Sequence, residues 1–535
     1  MPLRINNLRI SLDDDISELK RLCAGKLKID ASDIRDFKII KESVDARHKS
    51  NIGLIYSVEL VLDKDERKIA DGMDKRDVVY LEPFKEEKIE YGKNKLSTRP
   101  IIIGSGPAGL FAGLSLAKSG YKPVIFERGK SVDERLDAVQ WFWKSGDLDP
   151  ECNIQFGEGG AGTFSDGKLT TRIRDVRCDA VLKQLVASGA PSDIMTSFKP
   201  HIGTDILKRV VSNIRNEIIR YGGEVYFSSK LTAIKVSKGL ISGITINDTD
   251  NIDCSVLILA IGHSARDTVE MLSGSGVLID AKPFAVGFRV EHKQSMIDEE
   301  QYGKFASHPK LKAADYRLAY HSKKYSRPCY SFCMCPGGIV VAAASEKGRV
   351  ATNGMSEYAR DGENANSALV CGVNIRDFKG NGPMSGIEFQ RRLEETAYRM
   401  GGGGYVAPVQ RIDDFIKGRV TKKAGNVKPS YTRGYRFNDL NNCLPEELCA
   451  VMKEALADFD KKIRGFASEG IMTAVETRTS SPVRIERGEN YQSKNIMGLY
   501  PAGEGAGYAG GIISAAVDGM RVSEEIMRTY APFKR

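Results

Sequence analysis

The chain has 535 residues, and at roughly 150 residues per domain that length implies three or four domains rather than one short module. Apolar residues make up 41% and charged residues 28%, ordinary globular usage that excludes wholesale disorder. The net charge of +9 is small for 58.8 kDa and argues against a nucleic-acid-binding protein; residues 1–95 carry 20 basic and 20 acidic side chains, so all of the excess lies beyond them.

Residues 1–90 read as a small ferredoxin-like α+β domain. An extended start over residues 3–12 leads to a helix opened by the acidic run at 13–15, with Ile16, Leu19, Leu22 and Leu27 near a helical period. Leu54, Tyr56, Val58, Leu60 and Leu62 alternate as in a half-buried strand, and residues 78–81 predict another. The charged stretch "KEEKIEYGKNKLSTRP" then reads as a linker over residues 85–98.

The strongest signal follows: "RPIIIGSGPAGLFAGLSLAKSGYKPVIFERG". An apolar strand meets the turn Gly104-Ser105-Gly106-Pro107-Ala108-Gly109, a helix follows, and a second strand delivers Glu127 and Arg128. Gly104 permits the tight turn, Gly106 lets the backbone approach a pyrophosphate, and Gly109 lets the helix sit close to the strand. The helix N-terminus then faces phosphate, and Glu127, 23 residues after Gly104, is expected to accept hydrogen bonds from a ribose.

Three later stretches point to FAD. The loop "FGEGGAGTFSDGKLTTR" offers Gly160, Ala161, Gly162 and Thr163 as backbone that could wrap a flat ligand. A helix over 203–221, a strand at 224–227 and a hairpin opening at Leu231 precede a return strand at 256–261, where Ala260 and Gly262 bring the chain back beside the first turn. Near the C-terminus, "IMGLYPAGEGAGYAGGIISAAVDGMRVSEEIM" sets Gly503 and Glu504 after a strand and Gly510, Gly511 and Ile512 at a helix start. Such a helix start can stabilise charge on a reduced flavin, while Glu504 can bind a polyol hydroxyl. Four stretches suited to one elongated cofactor make FAD the economical reading.

The strings "GSGPAGLFAGLSLA", "GGAGTFSDGKL", "HIGTD", "PFAVGFRVEH", "SFCMCPGG", "TNGMS", "NANSAL", "ETRTSSPVRI" and "PAGEGAGYAGGIISAAVDG" jointly resemble the bacterial FAD-dependent dehydrogenases, also described as NAD(P)/FAD-dependent oxidoreductases, over nearly the whole chain. More distantly the chain is similar to the fumarate-reductase and glutathione-reductase-like FAD superfamily. The resemblance implies an α/β fold: a two-part Rossmann-like FAD-binding domain at 98–280 and 488–535, interrupted by an inserted α+β substrate or cap domain at 281–487. It carries no substrate with it.

Flavin chemistry asks little of protein acids, so catalytic side chains are few. Arg478 and Arg484, just before the last cofactor stretch, could clamp an anionic substrate or hold the domain junction together. His263 could move a proton, although a structural polar contact is the plainer role. Cys333 and Cys335 share a strand spacing, but no second cysteine pair accompanies them; we read them as strand thiols and expect no metal site. The glycine run at 401–404 reads as a helix terminator. No second dinucleotide fingerprint follows residue 127, so NAD(P)H, if it is the reductant, has to bind on the inserted domain or dock transiently against the flavin.

The ten cysteines lack framework spacing, no apolar run reaches the roughly 18 residues of a membrane span, and the N-terminus lacks an export signal, so a cytoplasmic location is expected. The leading expectation is an oxidoreductase passing a hydride between a small, anionic substrate and FAD, with neither nucleic acid nor membrane as partner. A flavin monooxygenase, and an FAD-containing binding protein whose N-terminal domain contacts RNA or protein, are the alternatives.

Overall fold

The computed structural model describes residues 2–82 and 89–533, so the linker expected at 85–98 lies in part outside the described residues. The fold is α/β with mixed sheets. Its first unit alternates Leu3–Ser11, helix Glu18–Leu27, Ile34–Asp45, Gly53–Leu62, helix Glu66–Asp71 and Val78–Tyr80. Leu3–Ser11 and Gly53–Leu62 are the central strands of an antiparallel sheet, with Val78–Tyr80 and Ile34–Asp45 at its edges. The period-two pattern decides which face turns inward: Leu54, Tyr56, Val58, Leu60 and Leu62 are all buried, against Leu19, Cys23 and Leu27 of the helix.

The second unit is built on five parallel strands in the order Leu499–Pro501, Leu257–Leu259, Ile101–Ile103, Val124–Phe126 and Glu224–Tyr226. A parallel sheet covered on both faces needs continuous apolar strands, which is why "III" and "LIL" can serve although they do not alternate. Helices Pro107–Lys118, Thr204–Arg220 and Ile512–Thr529 pack on one face. The antiparallel strands Leu231–Ser237, Leu240–Ile246 and Asp250–Asp253, with helix Arg266–Gly274, cover the other. Gly109 is required here: a Cβ would stand 1.9 Å from the Gly104 carbonyl oxygen.

Between the fourth and fifth strands of this sheet in chain order comes a seven-stranded sheet. Its central strands Asn364–Val373, Phe284–Lys293 and Ile471–Glu476 are antiparallel and almost wholly buried. Helix Glu446–Lys462 packs Met452, Leu456 and Phe459 into its core. The chain runs into and out of this region through a two-stranded ladder, Ile279–Ala281 against Val483–Ile485. The glycine run ends helix Ser385–Gly401, with Gly402 left-handed at φ 88°.

Candidate functional site

A cavity of about 390 Å³ opens where the parallel sheet meets the seven-stranded one, inside the roughly 300–1,000 Å³ range of small-molecule sites. Parallel strands deliver their following turns to one edge, so the turns after Ile101–Ile103, Leu257–Leu259 and Leu499–Pro501 converge there. Gly104, Gly106, Pro107 and Ala108 line it, as do Glu127 and Arg128. The loop brings Gly160, Ala161 and Gly162; the hairpin and return strand bring Leu231, Ala260 and Gly262; the last stretch brings Glu504, Gly510, Gly511 and Ile512.

Four residues expected at the cofactor support the wall from behind. Gly109 packs helix on strand; Ser105, fully buried, donates through N and Oγ to Glu127 Oε2 at 2.8 and 2.9 Å. Thr163 Oγ1 donates to the Glu158 carbonyl at 3.3 Å, and the Gly503 N–H donates to Asp518 Oδ2 at 2.7 Å. Glu127 departs from the expected ribose role: Oε1 also accepts the N–H groups of Gly129 and Gly157, each at 3.0 Å. A carboxylate offers about four lone-pair sites, so Glu127 is committed to pinning the first turn to the loop. Arg128 is paired with Asp267 and Glu151 and stacks its guanidinium 4.0 Å from the Phe156 ring centroid.

The arginine clamp is corrected by the geometry. Arg484 is exposed and sits 5.2 Å over the Tyr508 ring, away from the cavity lining. Arg478 does line the cavity, but its Nε and Nη2 donate to the two oxygens of Glu394 at 3.1 and 3.2 Å and its Nη1 to Ser345 Oγ at 2.6 Å. Arg266 donates to the same carboxylate at 2.8 and 2.9 Å. Burial alone would raise the Glu394 carboxyl; Arg266 and Arg478 instead hold it well below the usual range. Two lysines also line the cavity: Lys168, 4.0 Å from Asp166 Oδ2, and Lys230, paired with Glu151 and Asp267.

His263 lines the cavity too, with Nδ1 3.9 Å from Glu504 Oε1 and a buried Nε2 that has no partner. Burial, then the nearby Arg478 and Arg266, push its pKa down to about 3, so the ring is neutral. Glu504 is pushed up to about 7 by burial. Glu476, which accepts from Arg289 Nη1 at 3.1 Å and Thr352 Oγ1 at 3.0 Å, is likewise raised by burial to about 7. Cys333 stands on the same wall, with Phe332, Asn353 and Glu476.

Glu476, Lys168 and Asn353 were not singled out from the sequence, although each lies inside a quoted string ("ETRTSSPVRI", "GGAGTFSDGKL", "TNGMS"). For Asn353 and Glu476 strand pleat and register decide which residue turns inward, and for Lys168 the path of the loop does.

Two helices begin at the cavity without a side-chain cap: Pro107–Lys118 at Gly106 and Ile512–Thr529 at Gly511. Uncapped N-termini leave N–H donors and positive potential for an anion or an electron-rich ring. A Cβ at Gly510, Gly511 or Gly262 would meet no protein atom within 4 Å. With the orphaned His263 Nε2, this makes a cradle that fits a dinucleotide carrying a flat polar ring. Among the described residues, no group of three or more His, Cys, Asp or Glu side chains is placed to hold a metal, and no helix is long and apolar enough to cross a membrane.

Residues 283–479 match the family described as FAD-dependent protein, C-terminal domain-like, and residues 2–61 match a domain family of unknown function. An uncharacterized protein of Clostridium beijerinckii is 53% identical over 531 residues, 99% of each chain. An L-aspartate oxidase of Saccharolobus solfataricus is 27% identical over 180 residues, 30% of this chain and 36% of that protein. Among solved structures, the glycine oxidase of Geobacillus kaustophilus aligns over 83% of this chain and 97% of its own at 10% identity and a TM-score of 0.36.

Proposed function

The chain belongs to the family of FAD-dependent oxidoreductases that this C-terminal match marks, and on that premise we propose that it is a dehydrogenase or reductase exchanging a hydride between FAD and a small, anionic substrate. The carrying observation is that two uncapped helix N-termini, from positions some four hundred residues apart, open into one cavity. The Pro107–Lys118 N-terminus binds the pyrophosphate, where N–H groups and dipole favour negative charge. The Ile512–Thr529 N-terminus, with Gly510 and Gly511 leaving room, borders the ring. Bound there, the flavin supplies a two-electron acceptor.

The protein groups then have separable tasks. Gly160, Ala161 and Gly162 press backbone against the cofactor, and Leu231, Ala260 and Gly262 close its adenine side. Neutral His263 offers a hydrogen bond through Nε2 without adding charge. Lys168 attracts the anionic substrate, and Glu476 and Glu504, both near pKa 7, hold or release a proton at working pH. Residues 98–280 and 488–535 form the FAD-binding domain, and 281–487 the inserted substrate domain. That layout is supported by strands from both segments sharing one parallel sheet. The ferredoxin-like unit at 1–90 is supported by its βαββαβ order.

The test is direct. The purified protein should be yellow, with flavin absorption that bleaches anaerobically with its true donor, sought among NADH, NADPH, quinols and anionic metabolites. A colourless, folded protein that takes up no added FAD would refute the reading.

A further inference from the structure

We propose that Cys333 and Cys335 form a redox-active dithiol that exchanges an electron pair with the flavin of this cavity, an inference that rests on the FAD reading. The two sit at the end of strand Arg327–Cys335, where the pairing with Asn364–Val373 slips between Phe332 and Cys335. Cys333 takes a left-handed φ of 45°, a strained conformation for a residue with a Cβ. Such bulges re-aim a side chain. Here Cys333 lines the cavity while Cys335 lies behind it, fully buried.

The surroundings suit thiol chemistry. Cys335 Sγ donates to the Cys333 carbonyl at 3.4 Å, and Arg289 Nη2 donates to that carbonyl at 2.8 Å and to Cys335 Sγ at 3.4 Å. The neighbouring Cys335 side chain holds Cys333 below the usual thiol range against its burial, with Lys168 and Arg289 adding attraction. Cys254 and Cys449 show the contrast: burial pushes both up to about 12, as expected of inert core thiols. Because the bulge breaks the extended alternation at Cys333, Cys335 Sγ turns back to the Cys333 main chain rather than standing parallel to the Cys333 side chain.

The step balances. Closing the pair forms one S–S bond from the Cys333 thiolate and the Cys335 thiol. Two electrons and the single thiol proton leave, and oxidised flavin, the two-electron acceptor, takes both electrons and one proton. Glu476, joined to Arg289 at 3.1 Å, is the group placed to carry that proton. The reverse direction reduces the disulfide.

The experiment uses the holoenzyme, oxidised with diamide, freed of reagent and titrated anaerobically with dithionite. Wild type should take up two electron pairs per FAD, and Cys335→Ser and Cys333→Ser one each. Alkylation under denaturing conditions followed by peptide mapping should find the 333–335 peptide two hydrogens lighter and unalkylated after diamide in the wild type. Uptake of a single pair by yellow wild-type protein, with both cysteines alkylated after diamide, overturns the dithiol and leaves the flavoprotein reading standing. Protein that binds no FAD overturns both.

Discussion

Replacing Gly106 with Ala separates cofactor binding from folding. The residue caps helix Pro107–Lys118 at φ −72°, ψ −178°, a conformation open to any residue. The nearest atom to the new Cβ is Gly160 Cα at 3.8 Å, an ordinary contact, so the protein alone has room for the methyl. Both glycines line the cavity, however, so with the pyrophosphate bound as proposed the methyl would crowd it. Losing one charge-assisted hydrogen bond costs about 1.5–3 kcal/mol, and at 1.4 kcal/mol per tenfold that is about a 10- to 150-fold weaker Kd for FAD. Apoprotein stability should stay level or rise by about 0.4–1 kcal/mol, since Ala has less freedom to lose on folding. Gly109→Ala is the opposite control: its Cβ would stand 1.9 Å from the Gly104 carbonyl oxygen, so the apoprotein itself should be destabilised. Fluorescence titration with FAD and thermal melts of the apoproteins read the two effects. Wild-type affinity in Gly106→Ala would refute the placement of the phosphates.

Glu394→Gln leaves Arg266 and Arg478 buried without their shared charge, so a loss of about 3–5 kcal/mol is expected in denaturant unfolding; a loss under 1 kcal/mol would show that the network is dispensable. The imidazole of His263, held near pKa 3 by burial and two arginines, should show flat NMR shifts from pH 5 to 9, and a midpoint near 6.5 would contradict its neutral state. Glu476, raised from 4.5 to about 7, binds a proton in the folded state across a window where the unfolded chain has released it. Its contribution to stability therefore falls as pH rises from 4.5 to 7, by roughly 2–3 kcal/mol. Glu476→Gln should remove that part of the pH profile of melting temperature, and an unchanged profile would refute the shift.

Much of the fold was legible because local patterns sufficed. The helix expected over 203–221 is Thr204–Arg220, the hairpin expected at 231–246 is the pair Leu231–Ser237 and Leu240–Ile246, and the return strand is shorter than expected, Leu257–Leu259. In the first unit, strand Ile34–Asp45 was not located, since its mixed polar sequence pairs on one side only and stays largely exposed. At the site, glycine positions were readable because each does a backbone job. The roles of long polar side chains were not: Arg484 turned outward, Arg478 found Glu394, and Glu127 was taken up by four protein donors.

The order of apolar strand, glycine turn and helix is dictated by chain chemistry alone, since φ freedom and hydrophobic period act over a few neighbours. From that order a dinucleotide fold and its cofactor class could be read before any coordinates. Which charges neutralise one another, and which thiol meets the cavity, depends on residues more than a hundred positions apart, such as Arg266 and Glu394 or Asp166 and Arg360. Electrostatic and burial energies are set by distance in space, and the chain acquires those distances only when its sheets close around the cavity.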